Sequence, residues 1–282
     1  GVGTVWDHYY YAEAVADGIL DAGITGVIAP TLQDIRGPGV PHLAAQLEAT
    51  ETLAGRLGKD GIVAAVGPHA TDTVSDDLWR EVAAFQDRLQ IPIHAHIAQS
   101  IEEVERSFSL HGCSPVERLH RLDLLDGAAP FLLVHSLFVS HQDLDRLIPE
   151  KNILGYCPYS QVQFAFPAAV SSWMDRGLSV VLGTDCGASN DTMNMQQELR
   201  VAFGAAGFGA TWSRERTRFE EEGTLEAAQA LQHRRIAIHD QTTQERDLQN
   251  LLSWTWQGAG ALHPDLPVGS LEVGNLANLC VW

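Results

Sequence analysis

The order of apolar and polar positions predicts strands alternating with helices from one end of the chain to the other. The stretch 91–100, IPIHAHIAQS, shows the pattern: Ile91, Ile93, Ala95 and Ile97 alternate with Pro92, His94, His96 and Ala98, the two-residue period of a strand. That period points both imidazoles to one face, where each needs a hydrogen-bond partner or a metal once water is excluded. Further strands are expected over 3–7, 24–29, 61–66, 131–135, 152–156 and 178–183, the last an unbroken apolar run that suits a sheet covered on both faces. Helices are expected over 12–22, 42–57, 76–90, 101–111, 115–125, 141–148, 168–176 and 193–205, with Ser75 and Ser140 as N-caps.

Seven strands, each followed by a helix, predict an α/β fold of the (β/α) barrel type. The polar residues strengthen this. Asp7-His8, Pro68-His69, His96 to Gln99, His135-Ser136, Cys157 to Ser160 and Asp185 to Asn190 all fall at or just past the carboxyl ends of strands, which a barrel gathers on one rim. An open doubly wound sheet would concentrate them at a single switch point instead. Barrels of this kind close with eight strands, because an open sheet exposes two apolar edges. The expectation is therefore a TIM-type (β/α)8 barrel over 1–265 that lacks its first strand, the missing stave lying ahead of Gly1 in a larger protein. Residues 266–282 read as a turn and a C-terminal strand of a small β-sandwich, and the charge-rich 212–249 as a solvated connection or lid.

Composition narrows the class. At 282 residues with 45% apolar content the chain can bury a large core, and no apolar run is long enough to span a bilayer. Eighteen basic against 36 acidic residues give a net charge of -18, which argues against nucleic acid as a partner. Cys113, Cys157, Cys186 and Cys280 form no C-x-x-C pair, which fits a reducing cytoplasm rather than a disulfide framework.

The imidazoles of His94, His96 and His135 with the carboxylate of Asp185 make a ligand set suited to Zn²⁺ or Fe²⁺ with a position left for water. Asp185 directly follows an apolar strand in GTDCGASND, where a carboxylate needs a cation or a hydrogen-bond network. The run Tyr9 to Tyr11 suits either the wall of a pocket for a planar ring or packing beneath a loop. Gly258-Ala259-Gly260 lacks the third glycine and preceding strand of a dinucleotide site, so it reads as a helix end.

In order and spacing, GPHATDTVSDDL, IPIHAHIAQSIEEV, VHSLFVS, GYCPYSQ, LSVVLGTDCGASNDTMNMQQELR and VGSLEVGNLANLCVW resemble the amidohydrolase superfamily in its cytosine-deaminase and triazine-hydrolase branch. The resemblance implies one divalent metal, zinc or iron, with His96 and Asp185 as ligands and His94 a secondary candidate. It implies that His135 holds the attacking water or substrate, and that His69 contacts the substrate; Asn190 and His8 are further candidates for substrate contact. Asp185, His135 and Gln99 stand at the catalytic positions. Gln99 departs from the family, which commonly has a proton-shuttling glutamate there, and an amide cannot carry that proton. The first-strand H-x-H pair of the family is absent, as the missing stave predicts.

The implied activity is metal-assisted hydrolysis of a C–N bond in a small nitrogen heterocycle, most simply deamination of a cytosine-, guanine-, adenosine- or triazine-like substrate. Dechlorination or N-dealkylation of a triazine-type ring is the alternative within the class, and a catalytically silent binding barrel the alternative outside it. A cytoplasmic homo-oligomer, a homodimer, with no nucleic-acid or membrane partner completes the expectation.

Overall fold

The computed structural model describes residues 2–56, 61–163, 168–208, 213–256, 260 and 268–276. Eight strands run through them: β1 (Thr4–Tyr9), β2 (Thr25–Leu32), β3 (Ile62–Ala64), β4 (Gly67–Pro68), β5 (Ile93–Ile97), β6 (Phe131–His135), β7 (Asn152–Tyr156) and β8 (Ser179–Leu182). All pair in parallel and in chain order, and bridges from Val66 to Ile93 and from Ala70 to His96 join the β1 to β4 half to the β5 to β8 half. Both β3 and β4 pair with β2 and are pieces of one stave, so the seven expected staves are present. Sequential order without a reversal is the winding of a barrel, not of a doubly wound sheet. Among the described residues no strand pairs with the outer edge of β1 or β8; on β8 the Leu182 N–H donates instead to the Trp254 carbonyl at 2.9 Å.

Strand alternation sorts the core into two layers. Ile28, Ile62, Ile93, Ala95, Ile97, Phe131, Leu133, Leu154 and Val180 pack outward with the helix residues Trp79, Leu119 and Trp173. The opposite faces fill the bore. Val27, Ala29, Val63 and Ala65 form one inner group, Leu132, Val134, Ile153 and Cys157 another, and Trp6 packs against both. The interior below the site is thus side chain rather than channel, as a packed barrel requires.

Helices cover the outside, among them α1 (Ala12–Asp21), α2 (Leu43–Ala54), α3 (Asp76–Leu89), α4 (Ile101–His111), α5 (Pro115–Arg121) and α6 (His141–Leu144). Ser75 and Ser140 cap α3 and α6 as expected, their hydroxyls accepting Leu78 N–H at 3.2 Å and Asp143 N–H at 3.1 Å. The helix expected over 115–125 stops at Arg121, because the chain reverses at Asp123, whose φ is +59°. After β7 the polar strand-end run from Cys157 winds into α7 (Pro158–Gln163), a short helix that hydrophobic periodicity could not announce. It is followed by α8 (Val170–Met174) and α9 (Met195–Ala205).

The charge-rich region folds as α10 (Arg214–Glu222) and α11 (Leu225–Gln241), broken at Gly223 with φ +60°, and α12 (Leu248–Ser253) follows. Only Ala227 and Ile238 of α11 are buried, so this helix is largely solvated. The expected C-terminal strand over 277–282 with Cys280, and most of the glycine turn at 258–260, lie outside the described residues. Val268 packs into the inner group beside Val27 and Ala29. Among the described residues no helix is long and apolar enough to cross a membrane.

Candidate active site on the carboxyl-terminal rim

Alternation along β5 sends Ile93, Ala95 and Ile97 out to the helices and leaves His94 and His96 facing the bore. There His94 meets Trp6 edge-on at 6.0 Å, and His8, from the end of β1, lies 5.0 Å from the His94 ring and stacks on His96 at 4.9 Å. His69, just past β4, comes within 5.1 Å of His96.

His135 arrives by a different route. By parity with Phe131 and Leu133 it should face the helices, but its φ is +73° and that of Ser136 is +48°, which breaks the alternation. Its ring then stacks on His96 at 5.5 Å. Asp185, beyond β8, also has a positive φ of +59°, as does Ala98 at +50° beyond β5. Backbone held in this region by non-glycine residues costs on the order of 1–3 kcal/mol each and gathers at functional sites. Here it gathers at the carboxyl ends of β5, β6 and β8.

Burial fixes the charge states. It holds His94 down to about 3 and His69 and His135 down to about 4, with the neighbouring imidazoles adding to the effect, and it lowers His96 and His8 as well. The five rings are therefore neutral at pH 7. Hydrogen bonds select their tautomers: His96 Nδ1 donates to the His69 carbonyl at 2.9 Å, leaving the Nε2 lone pair free for a ligand. Thr73 gives its proton to the Ala70 carbonyl, so its oxygen accepts from His69 Nδ1 at 3.0 Å.

Asp185 is the opposite case. Burial pushes its carboxyl up, but the Ser160 hydroxyl at 2.5 Å, the nearby His135 imidazole, the Cys186 N–H at 2.7 Å and the Ser189 hydroxyl at 3.1 Å together bring it below the usual carboxylate range. It is an ionised carboxylate among neutral imidazoles.

A cavity of about 380 Å³ opens beside this cluster, and His69, Gln99, Glu103, Arg36 and Asp72 are among its lining residues. Gln99 is exposed there. Asn190, expected to touch substrate, is 1% exposed and directs its amide to the Thr184 carbonyl at 2.8 Å and to Glu198 at 2.5 Å. It braces the loop after β8. Sequence reasoning placed Ser160 and Ser189 on the rim without a role, and missed Glu198 and Glu103. Ser100-x-x-Glu103 was readable as a helix-capping pattern, yet only Ser100 behaves so, accepting the Glu103 N–H at 3.2 Å, while the carboxylate turns to the Gln99 N–H at 2.8 Å.

The donor set suits a borderline divalent cation in kind. His94 Nδ1, His135 Nε2 and both nitrogens of His8 are buried without a hydrogen-bond partner, and neutral imidazole with ionised carboxylate is the chemistry such a cation takes. Among the described residues no three histidine, cysteine, aspartate or glutamate side chains converge closely enough to hold a metal ion by themselves.

Comparison with known proteins agrees with the geometry. A family model described as the amidohydrolase family matches residues 1–282. The 5-methylthioadenosine/S-adenosylhomocysteine deaminase of Thermoanaerobacter pseudethanolicus is 30% identical over 285 residues, taking in 100% of this chain and 58% of that protein. In structure, a zinc-bound adenosine deaminase from Xanthomonas campestris superposes with a TM-score of 0.80 at 22% identity, over 98% of this chain and 56% of that one. Atrazine chlorohydrolase from Arthrobacter aurescens TC1, complexed with zinc, gives 0.74 at 17% identity, over 98% and 59%. The chain thus spans a little over half the length of each. With its full length matched and its imidazoles gathered on the rim of a parallel barrel, the chain belongs to the amidohydrolase family.

Proposed function

We propose that this chain carries the catalytic barrel of a hydrolytic deaminase acting on an amino-substituted nitrogen heterocycle, with adenosine-type compounds as the first substrates to try. The observation that carries the reading is an ionised Asp185 beside stacked, neutral His96 and His135 at the mouth of the bore. The whole-length similarity to a protein named as an adenosine-type deaminase supports the substrate class.

On this reading His96, through its Nε2, and Asp185 would hold a divalent metal, zinc or iron, with His94 the further imidazole on the same strand. A bound cation supplies an acidified water. Asp185 accepts a proton during hydrolysis and returns it to the departing amine, for which its ionised state equips it. His135 stabilises the tetrahedral centre through its unpartnered Nε2, and His69, fixed by Thr73, contacts the ring from the cavity side. A cytoplasmic location goes with the reading, in keeping with the free thiols of Cys113, Cys157 and Cys186, and a homodimer is proposed with it.

The test is ammonia release from adenosine-type nucleosides, cytosine, guanine and aminotriazines by the full-length protein, alongside its metal content. Deamination with about one equivalent of zinc or iron per chain is the expected result. Chloride or alkylamine release from triazines without ammonia from any nucleoside would favour the triazine-hydrolase alternative, for which the fold likeness to the atrazine enzyme is the supporting observation. Less than about a tenth of an equivalent of metal, with no activity on adding zinc or iron, would leave a silent barrel.

A further inference from the structure

Gln99, just ahead of α4, and Glu103, in its first turn, line the same cavity as His69. The Gln99 amide can donate and accept hydrogen bonds but cannot pick up and release a proton near neutral pH. Two carboxyl groups line the cavity. Asp72 is tied to the Arg36 guanidinium, which leaves Glu103.

Glu103 is only 3% exposed, and both of its oxygens are held: Oε2 accepts the Gln99 N–H at 2.8 Å and Oε1 accepts the Thr71 hydroxyl. These bonds fix the carboxyl beneath the residue at the family's catalytic position. We propose that Glu103, rather than Gln99, is the group that carries a proton from the attacking water to the ring nitrogen of the substrate, an inference that rests on the deaminase reading above.

The electrostatic setting suits that task. Burial pushes the Glu103 acid up to about 7, against the pull of the Thr71 hydroxyl and the backbone N–H groups of Gln99 and Ala98, and Asp72 adds its repulsion. The other charged or titratable groups on the surrounding elements are Arg36, paired with Asp72; neutral His69; Tyr10, whose hydroxyl donates to Gln33; and Arg118, which donates to the Thr71 carbonyl and to Asp76. A general acid–base group works best when its pKa lies near the operating pH.

Protons and electron pairs balance across the reaction. The Glu103 carboxylate takes one proton from water as the C–O bond forms and the C=N π pair moves onto the ring nitrogen, and it then gives that proton to the nitrogen. Asp185 takes the proton of the added hydroxyl and gives it to the amine as the C–N bond breaks with its electron pair. Both carboxylates are regenerated, and water and the amino-heterocycle become the oxo-heterocycle and ammonia.

The test combines a direct titration with a pH–rate profile on the full-length, metal-loaded protein. Difference infrared spectra should show a protonated carboxyl band that vanishes through about pH 7 in the wild type and is absent in Glu103→Gln. In the wild type, kcat should rise with pH through the same midpoint. Glu103→Gln should lower kcat by about 100-fold or more, with KM changed by less than about threefold, and should abolish that limb. Adding Gln99→Glu should restore part of the rate.

A purely structural role would instead lower Tm and leave the limb in place. Should Glu103→Gln fail to fold, Glu103→Asp, which keeps an acid at a shorter reach, must move the midpoint of the limb while lowering kcat, whereas a structural role leaves the midpoint where it was. A limb unchanged in Glu103→Gln, or unmoved in Glu103→Asp where the former does not fold, or no carboxyl titrating above about pH 6, overturns the proposal. A wild-type protein that deaminates nothing would sink the deaminase reading and this inference with it, whereas an active wild type with an indifferent Glu103→Gln sinks the inference alone.

Discussion

Acid should destabilise the metal-free barrel through its buried imidazoles, and the balance of opposing groups sets how much. His94, His69 and His135 titrate in the folded chain at about 3, 4 and 4 against 6.5 when unfolded. Their stabilising contribution is complete above pH 6.5 and is lost as pH falls towards those folded values. Between pH 7 and 5 each should lose about 2 kcal/mol, because the unfolded imidazole gains about 1.4 kcal/mol for every pH unit below 6.5 while the folded one stays neutral. Glu103 works the other way: raised from 4.5 to about 7, it stabilises the fold below pH 4.5 and loses that contribution as pH rises through 7. Acidification from pH 7 to 5 therefore returns about 2 kcal/mol at Glu103, and among these four groups the imidazoles win by roughly 3–4 kcal/mol.

The assay is urea unfolding of the chelated protein across this range, with the m-value monitored so that a change in midpoint reports stability alone. His94→Gln should flatten the pH dependence by about 2 kcal/mol and Glu103→Gln should steepen it by a similar amount. Equal stability at pH 7 and 5, or slopes indifferent to both substitutions, would refute the assignment of charge states on which the site rests.

Three further outcomes can be checked. His96→Ala and Asp185→Ala should each abolish metal retention after dialysis, whereas His94→Ala should weaken it at most; equal loss in all three, by elemental analysis, would mean that the strand pair is assigned wrongly. Arg118→Leu should cost about 2–4 kcal/mol in denaturant unfolding, because the buried guanidinium is the donor to the Thr71 and Val74 carbonyls. Gly67→Ala should cost about 1–3 kcal/mol, because a Cβ there would stand 2.5 Å from the Pro30 carbonyl oxygen and 2.8 Å from that of Ala29, forcing β4 off β2; a Tm equal to the wild type would show that the staves can part freely.

The stave count and the orientation of His94 and His96 were legible because both depend on local periodicity, which survives in the linear order of residues. Ser75 and Ser140 were legible for the same reason: a capping hydroxyl reaches only three residues along the chain. The path of His135 was not, since parity with Phe131 and Leu133 pointed it outward until a left-handed backbone turned it in. Nor was the inward turn of Asn190, whose partners Thr184 and Glu198 are brought to it by the folding of the β8 loop onto α9.

The alternation of apolar residues, the strand-end histidines and the family motifs by themselves determined the barrel and named the corner of it where chemistry would sit. Tertiary structure decided the rest: which imidazoles lose their protons through burial, how Ser160 of α7 joins Cys186 and Ser189 of Asp185's own loop to keep that carboxylate ionised, and that Glu103 lies on the cavity wall with Gln99. The physical reason is range. Backbone periodicity acts over a few residues, whereas desolvation and hydrogen bonding depend on groups that only the closed fold brings within a few ångströms of one another.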